Sequence, residues 1–275
     1  MNRAIDLALL VGEGARSCMD VRMALVCGSV ARGLADESSD IDLYVYGTDV
    51  DGQRLGRTRL LEPAGAALAF GLPTPSGWFQ KYRLEGRFVD VEYCDVRLLD
   101  DAAAELGSGR LSPQVVRLAA GLRDAVPAIG AADLEHRRHS LVYTDAVALA
   151  EVQARSARLL PLRVLYALTW ARGDLVSYAS RASQVLLDAV ALVGAANREF
   201  VPVDEPKWIP WHLARLAQQP QRLAGTLIEA FEAPSTEVAE RADAVLREVL
   251  DLVDASVPGA DTRVARFTLG LSPKP

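Results

Sequence analysis

Leu25-Val26-Cys27-Gly28-Ser29-Val30-Ala31-Arg32-Gly33-Leu34-Ala35-Asp36-Glu37-Ser38-Ser39-Asp40-Ile41-Asp42-Leu43-Tyr44-Val45 is the stretch whose reading decides the fold. An apolar run ends in a Gly-Ser turn. A short helix-compatible segment and a polar turn follow, and a second apolar run opens on two aspartates. Side chains alternate along a strand, so Asp40 and Asp42 share one face. Paired carboxylates suit Mg²⁺, a hard ion held by one or two carboxylates together with substrate phosphates. The Gly28-Ser29 turn offers backbone N–H groups and a hydroxyl beside them, the usual chemistry of a phosphate cradle. The same residues also read as an ordinary strand-to-helix turn with a serine cap, followed by two solvated aspartates. Their joint spacing favours the first reading, transfer of a nucleotidyl group from a nucleoside triphosphate.

Gly28-Ser29 followed by Asp40-Ile41-Asp42-Leu43 resembles the signature of the DNA polymerase β-like nucleotidyltransferase superfamily. Gly33 and Ser39 add a likeness to its members with small-molecule substrates. The resemblance covers about the first third of the chain. It implies a third acidic residue on a later strand, acting as metal ligand, general base or both. The candidate strand is Arg87-Phe88-Val89-Asp90-Val91-Glu92-Tyr93-Cys94. Alternation puts Val89, Val91 and Tyr93 on one face and Asp90, Glu92 and Cys94 on the other. Asp90 is favoured because it lies in an apolar-Asp-apolar triplet. Glu92, two residues on, is its rival.

The 275 residues are half hydrophobic and about a quarter charged, with a net charge of −6. That balance provides no basic stripe for an extended nucleic acid. Cys18, Cys27 and Cys94 lack metal-ligand spacing. Cys27 and Cys94, inside strand-like runs, read as small buried hydrophobes, and a reduced, cytoplasmic setting fits. No secretory pattern and no membrane-length apolar run is read from the sequence.

The predicted fold class is α+β: an N-terminal polymerase β-like nucleotidyltransferase domain, a mixed sheet with helices, followed by a C-terminal helical bundle. Helical periodicity covers 3–19, with Ile5, Leu9 and Leu10 on one face, and strands are expected at 21–27, 41–46, 78–84 and 87–94. Residues 57–70 are ambiguous, with a helix possible after Pro63. Gly71–Gly77 reads as a turn-rich loop, and 96–106 and 112–123 as helices. The catalytic domain is expected over 1–130, ending in the soft segment Val126–Ala132. A bundle at 131–255, with helices at 133–158, 161–172, 175–195, 207–218, 220–232 and 235–255, would close the cleft. Residues 256–275 are expected to form a tail. Ser235 is the expected cap of the last helix.

Lys207, at the start of a helix after a proline-bounded loop, suits the β- and γ-phosphates, or is a surface lysine beside packed Trp208. Arg32, three residues past Ser29, meets the triphosphate or is solvated. Trp78, Trp170, Trp208 and Trp211 can stack on a base or can pack internally. The resemblance implies two Mg²⁺ ions at Asp40, Asp42 and Asp90, an NTP (ATP) held by Gly28, Ser29, Arg32 and Lys207, and AMP transfer to a hydroxyl of a small molecule. Antibiotic modification or biosynthesis is the expected setting. Two alternatives remain open: nucleotidylation of a protein or tRNA in a toxin–antitoxin-like system, and a silent nucleotide-binding relative.

Overall fold

The computed structural model describes residues 1–204 and 206–270. Glu205, just before Pro206 and Lys207, and residues 271–275 of the expected tail lie outside the described residues. The chain forms two compact units, Met1–Ala104 with Leu118–Val142, and Glu105–Arg117 with Tyr143–Pro275.

The first unit begins with α1 (Asn2–Ala15), β1 (Asp20–Val26), α2 (Gly28–Arg32), β2 (Ile41–Thr48) and α3 (Gly52–Leu55). Helix α1 buries Ala4, Leu7, Ala8, Val11 and Ala15, a ladder at helical spacing. Leu9 and Leu10, expected on one face with Ile5, are exposed. The helix stops short of residue 19 because the N–H groups of Cys18 and Met19 both fold back onto the Ala15 carbonyl, turning the chain into β1.

β3 (Ala67–Thr74), β4 (Gly77–Leu84) and β5 (Arg87–Asp95) follow, then α4 (Arg97–Gly107), α5 (Pro113–Asp124), β6 (Val126–Ile129) and α6 (Ala131–Ser140). They complete a six-stranded mixed sheet of order β3-β4-β5-β2-β1-β6. Only β2 and β5 pair in parallel. Two expectations are corrected here. Most of the presumed loop Gly71–Gly77 belongs to β3, whose edge position tolerates Pro73 because no partner needs its missing N–H. The segment 126–132 is the opposite edge strand and the first turn of α6, not a soft link. After Pro63 there is only a 3₁₀ turn, Glu62–Ala64, before β3.

One sheet face, carrying Ala24, Val26, Leu43, Val45, Val89, Val91 and Tyr93, forms the apolar core with α1. Gln80 lies fully buried on that face. Its amide nitrogen donates to the carbonyls of Leu55 and Thr58, at 2.9 and 3.2 Å. Its oxygen accepts from the hydroxyls of Tyr82 and Tyr93, each at 2.9 Å. All four hydrogen-bonding positions of the amide are thereby filled, as a buried polar group requires.

The second unit is helical: α7 (Asp145–Arg155), α8 (Leu162–Leu168), α9 (Leu175–Asn197), α10 (Ile209–Ala214), α11 (Leu223–Glu232), α12 (Thr236–Ser256) and α13 (Arg263–Gly270). The expected helix 133–158 breaks at 141–144, where Thr144 caps α7 by accepting the Val147 N–H. Ser235 caps α12 in the same way through Val238. Residues 263–270 of the expected tail form a helix that buries Ala265 and Leu269. Among the described residues no helix is long and apolar enough to cross a membrane.

Fully buried Asp243 on α12 accepts the Leu162 N–H, one of the donors left unpaired at the start of α8, and stands 3.3 Å from Arg163. Burial pushes its pKa up to about 6, against the pull of the Leu162 and Arg163 N–H groups and of the Arg163 and Arg247 charges. A raised carboxyl pKa means that the folded state holds the proton more tightly than the unfolded chain. The stability this confers at low pH is lost as pH rises from about 4 to about 6. Asp243→Asn keeps an acceptor for Leu162 and removes the titration. Denaturant unfolding at pH 4 and pH 7 should show the variant gaining on the wild type as pH rises, by up to about 3 kcal/mol.

Candidate active site

β1 ends where the backbone N–H of Cys27 bonds to the carbonyl of Asp42, at 2.9 Å. The chain then turns into α2 through Gly28, at φ +63°. A Cβ built on Gly28 would stand 1.8 Å from Oδ2 of Asp42, so only glycine lets the α2 turn close over this carboxylate. Gly33 ends α2 at φ +72°. The loop to β2 is fixed by Asp36, whose Oδ1 accepts the Ser38 N–H and the Ser38 and Ser39 hydroxyls at 2.8–2.9 Å. These bonds hold the Asp36 carboxyl below its usual pKa. They also set the start of β2 and the approach of Asp40. The Cys27 thiol is buried, and that burial, reinforced by Asp42, pushes its pKa up to about 12. It is a packing residue and not a nucleophile.

The parallel register of β2 and β5 sets Asp42 opposite Asp90 and Tyr44 opposite Glu92. The antiparallel register of β4 and β5 adds Lys81 opposite Asp90 and Phe79 opposite Glu92. Lys81, Asp90 and Asp42 therefore form one row across three strands, on the face turned away from α1. Lys81 Nζ lies 2.9 Å from Oδ1 of Asp90 and 3.7 Å from Oδ2 of Asp40. It also stands 4.7 Å from the centre of the Phe88 ring. Desolvation pulls the Lys81 pKa down, but the bonds to Asp90 and Asp40 outweigh it and the net shift is upward, so the ammonium stays charged.

Glu92 is engaged elsewhere. It accepts the Ser76 hydroxyl at 2.6 Å, and Ser76 in turn meets Thr74 at 2.9 Å in the β3–β4 turn. Arg32 donates to Asp124 at 3.0 Å, with both side chains largely buried. Lys207 belongs to the second unit, where it is exposed just before α10. Trp78 packs over Gly52 and Gly56, Trp170 meets Tyr178 edge-on, and Trp211 carries Arg215 over its ring. Trp208 is exposed.

Lys81 and Asp36 were not singled out from the sequence. Alternation along 78–84 gives Lys81 the same parity as Trp-adjacent Phe79, but only the strand register puts it beside Asp90. Asp36 read as part of a polar turn.

Asp40, Asp42 and Asp90 offer only carboxylate oxygens, the donors a hard divalent cation takes, beneath a turn that excludes any Cβ. Among the described residues no group of three or more His, Cys, Asp or Glu side chains is drawn together as a cation cage. The Lys81 ammonium lies between Asp40 and Asp90.

Residues 16–92 match the family model described as a nucleotidyltransferase domain. That span holds Gly28, Ser29, Asp40, Asp42, Lys81 and Asp90, and the nucleotidyltransferase domain it matches implies an NTP as substrate. The chain is also similar to a nucleotidyltransferase-like protein of known structure from Exiguobacterium sibiricum 255-15. Identity is 11% and the TM-score 0.41, over 91% of this chain and 74% of that one, too slight a likeness to carry any argument. No curated protein matches the chain.

Gly28→Ala and Gly33→Ala separate strain from collision. Both positions have positive φ, but a Cβ at Gly33 meets nothing within 4 Å. Gly33→Ala should cost about 1 kcal/mol of unfolding free energy, the left-handed penalty alone. Gly28→Ala must also displace Asp42 and should cost at least about 2 kcal/mol in the same denaturant titration.

Proposed function

We propose that the protein transfers a nucleoside monophosphate, AMP from ATP, to a hydroxyl of a small molecule in a Mg²⁺-dependent reaction that releases pyrophosphate. The observation that carries this reading is the row in which Asp42 and Asp90 lie side by side on parallel strands, with the Gly28-Ser29 turn closed over Asp42. Asp40, Asp42 and Asp90 are the residues that would hold the divalent cations. When bound, such ions supply positive charge to the attacking and leaving oxygens of an in-line displacement. The Ser29 hydroxyl and the amides of the turn orient the triphosphate. Asp90 takes the proton of the acceptor hydroxyl as its oxygen attacks the α-phosphorus and the bond to pyrophosphate breaks. Asp90 is preferred to Glu92 because it stands level with Asp42, whereas Glu92 stands level with Tyr44 and is held by Ser76. Lys207 is assigned to the phosphates from the sequence alone. Arg32, bound to Asp124, serves the site by fixing α2 unless that pair opens. The acceptor is assigned to antibiotic modification or to a biosynthetic intermediate, and the net charge of −6 speaks against an extended nucleic acid.

The test is pyrophosphate release with Mg²⁺ and each of the four NTPs against hydroxylated antibiotics and sugars. Release should depend on both acceptor and metal. It should fall about 100-fold or more in Asp42→Asn and Asp90→Asn, the scale of losing a main electrostatic or acid–base group. Glu92→Gln should stay within about tenfold of the wild type. Absence of nucleotide binding and of release would refute the proposal. NTP binding without release across the panel would redirect it to a macromolecular acceptor.

A further inference from the structure

We propose that Lys81 is the internal counter-ion of the carboxylate cluster: its ammonium holds Asp40 and Asp90 together until a divalent cation takes its place. The inference rests on the assignment of those carboxylates, with Asp42, as cation ligands. Lys81, Asp90 and Asp42 are consecutive in one cross-strand row, so two negative charges and one positive charge are set side by side by backbone register alone. The ammonium reaches beyond its own row to Asp40, in the residue before β2, at 3.7 Å, while lying 2.9 Å from Asp90. It thus bridges a strand residue and a loop residue.

Lys81 and Asp90 are each only about a fifth exposed, at 21% and 22%, so water screens their charges incompletely. Without the ammonium the neighbouring carboxylates would repel one another at close range. A divalent cation needs those same oxygens, and its charge would lie a few ångströms from Nζ, so the two compete. Lysine suits an occupant that must leave. It is a point charge on a flexible stem, whereas an arginine fork would clamp a carboxylate through two parallel bonds. The Phe88 ring, 4.7 Å from Nζ, borders the ammonium in this same position, and the Arg83 guanidinium stands 4.9 Å from that ring.

The test measures cation binding, with no nucleotide and no turnover. Mn²⁺ is titrated into the full chain and followed by electron paramagnetic resonance, with Asp42→Asn defining the signal of this site. Lys81→Met should bind Mn²⁺ about tenfold or more tightly than the wild type, the order expected when one unit charge is removed from a partly exposed site. It should melt at a lower temperature without Mn²⁺ and gain more on its addition. Lys81→Arg, which keeps the charge, should bind no more tightly than the wild type. Circular dichroism checks the fold, and Lys81→Gln replaces Lys81→Met if the thioether disturbs β4. Equal or weaker Mn²⁺ binding in a folded neutral variant would overturn the inference and make Lys81 a scaffold residue, while the proposed function would stand. Absence of any Asp42-dependent Mn²⁺ binding in the wild type and variants alike would overturn both.

Discussion

The parallel pairing of β2 with β5 brings Asp42 level with Asp90, and the rest of the first unit is arranged around the consequences. Placing like charges on adjacent strands opposes folding unless something of opposite charge comes near. The sheet meets this need by keeping the row on the face away from α1 and adding Lys81 from β4. A side-chain-free residue at Gly28 lets the end of β1 and the start of α2 close over Asp42. The core face and the charged face are two sides of the same strands. Period-two alternation therefore couples the burial of Leu43, Val89, Val91 and Tyr93 to the partial exposure of Asp42, Asp90 and Glu92 on the other face.

Much of this first unit was legible in the sequence because its signals are local. The apolar run 25–27, the turn at Gly28 and the run beginning at Ile41 give two strands and a short helix within a few residues of where they stand. Alternation along 87–94 gives the face of every residue from Val89 to Cys94, and the Glu85-Gly86 turn, both residues at positive φ, joins β4 to β5 as expected. The register between β2 and β5 was not legible. These strands are separated by two strands, β3 and β4, and two helical turns, and no local pattern states which residue of one opposes which residue of the other.

The misread elements share a physical cause. Gly71 and Pro73 are turn residues by propensity, yet they sit in an edge strand because one side of β3 bonds to nothing in the sheet. Val126–Ile129 is too short and too interrupted by proline to announce a strand, and forms one because β1 offers a free edge. In α1 the apolar residues outnumber the positions on its buried stripe. Contact with the sheet selects Leu7 and Val11 and leaves Leu9 and Leu10 outside. In each case tertiary context overrides a local preference.

Gln80 and Lys81 are consecutive on β4 and point to opposite sides of the sheet. The buried amide has a full complement of partners, two carbonyls from the chain around α3 and two tyrosine hydroxyls. A slip of β4 by one residue would drive an ammonium among those groups and leave an amide facing the carboxylates, so the amide indexes the strand. Charge placement on the polar face is thereby governed by hydrogen bonding on the apolar one. Gln80, which lies on the core face, is in effect a remote determinant of the site's electrostatics.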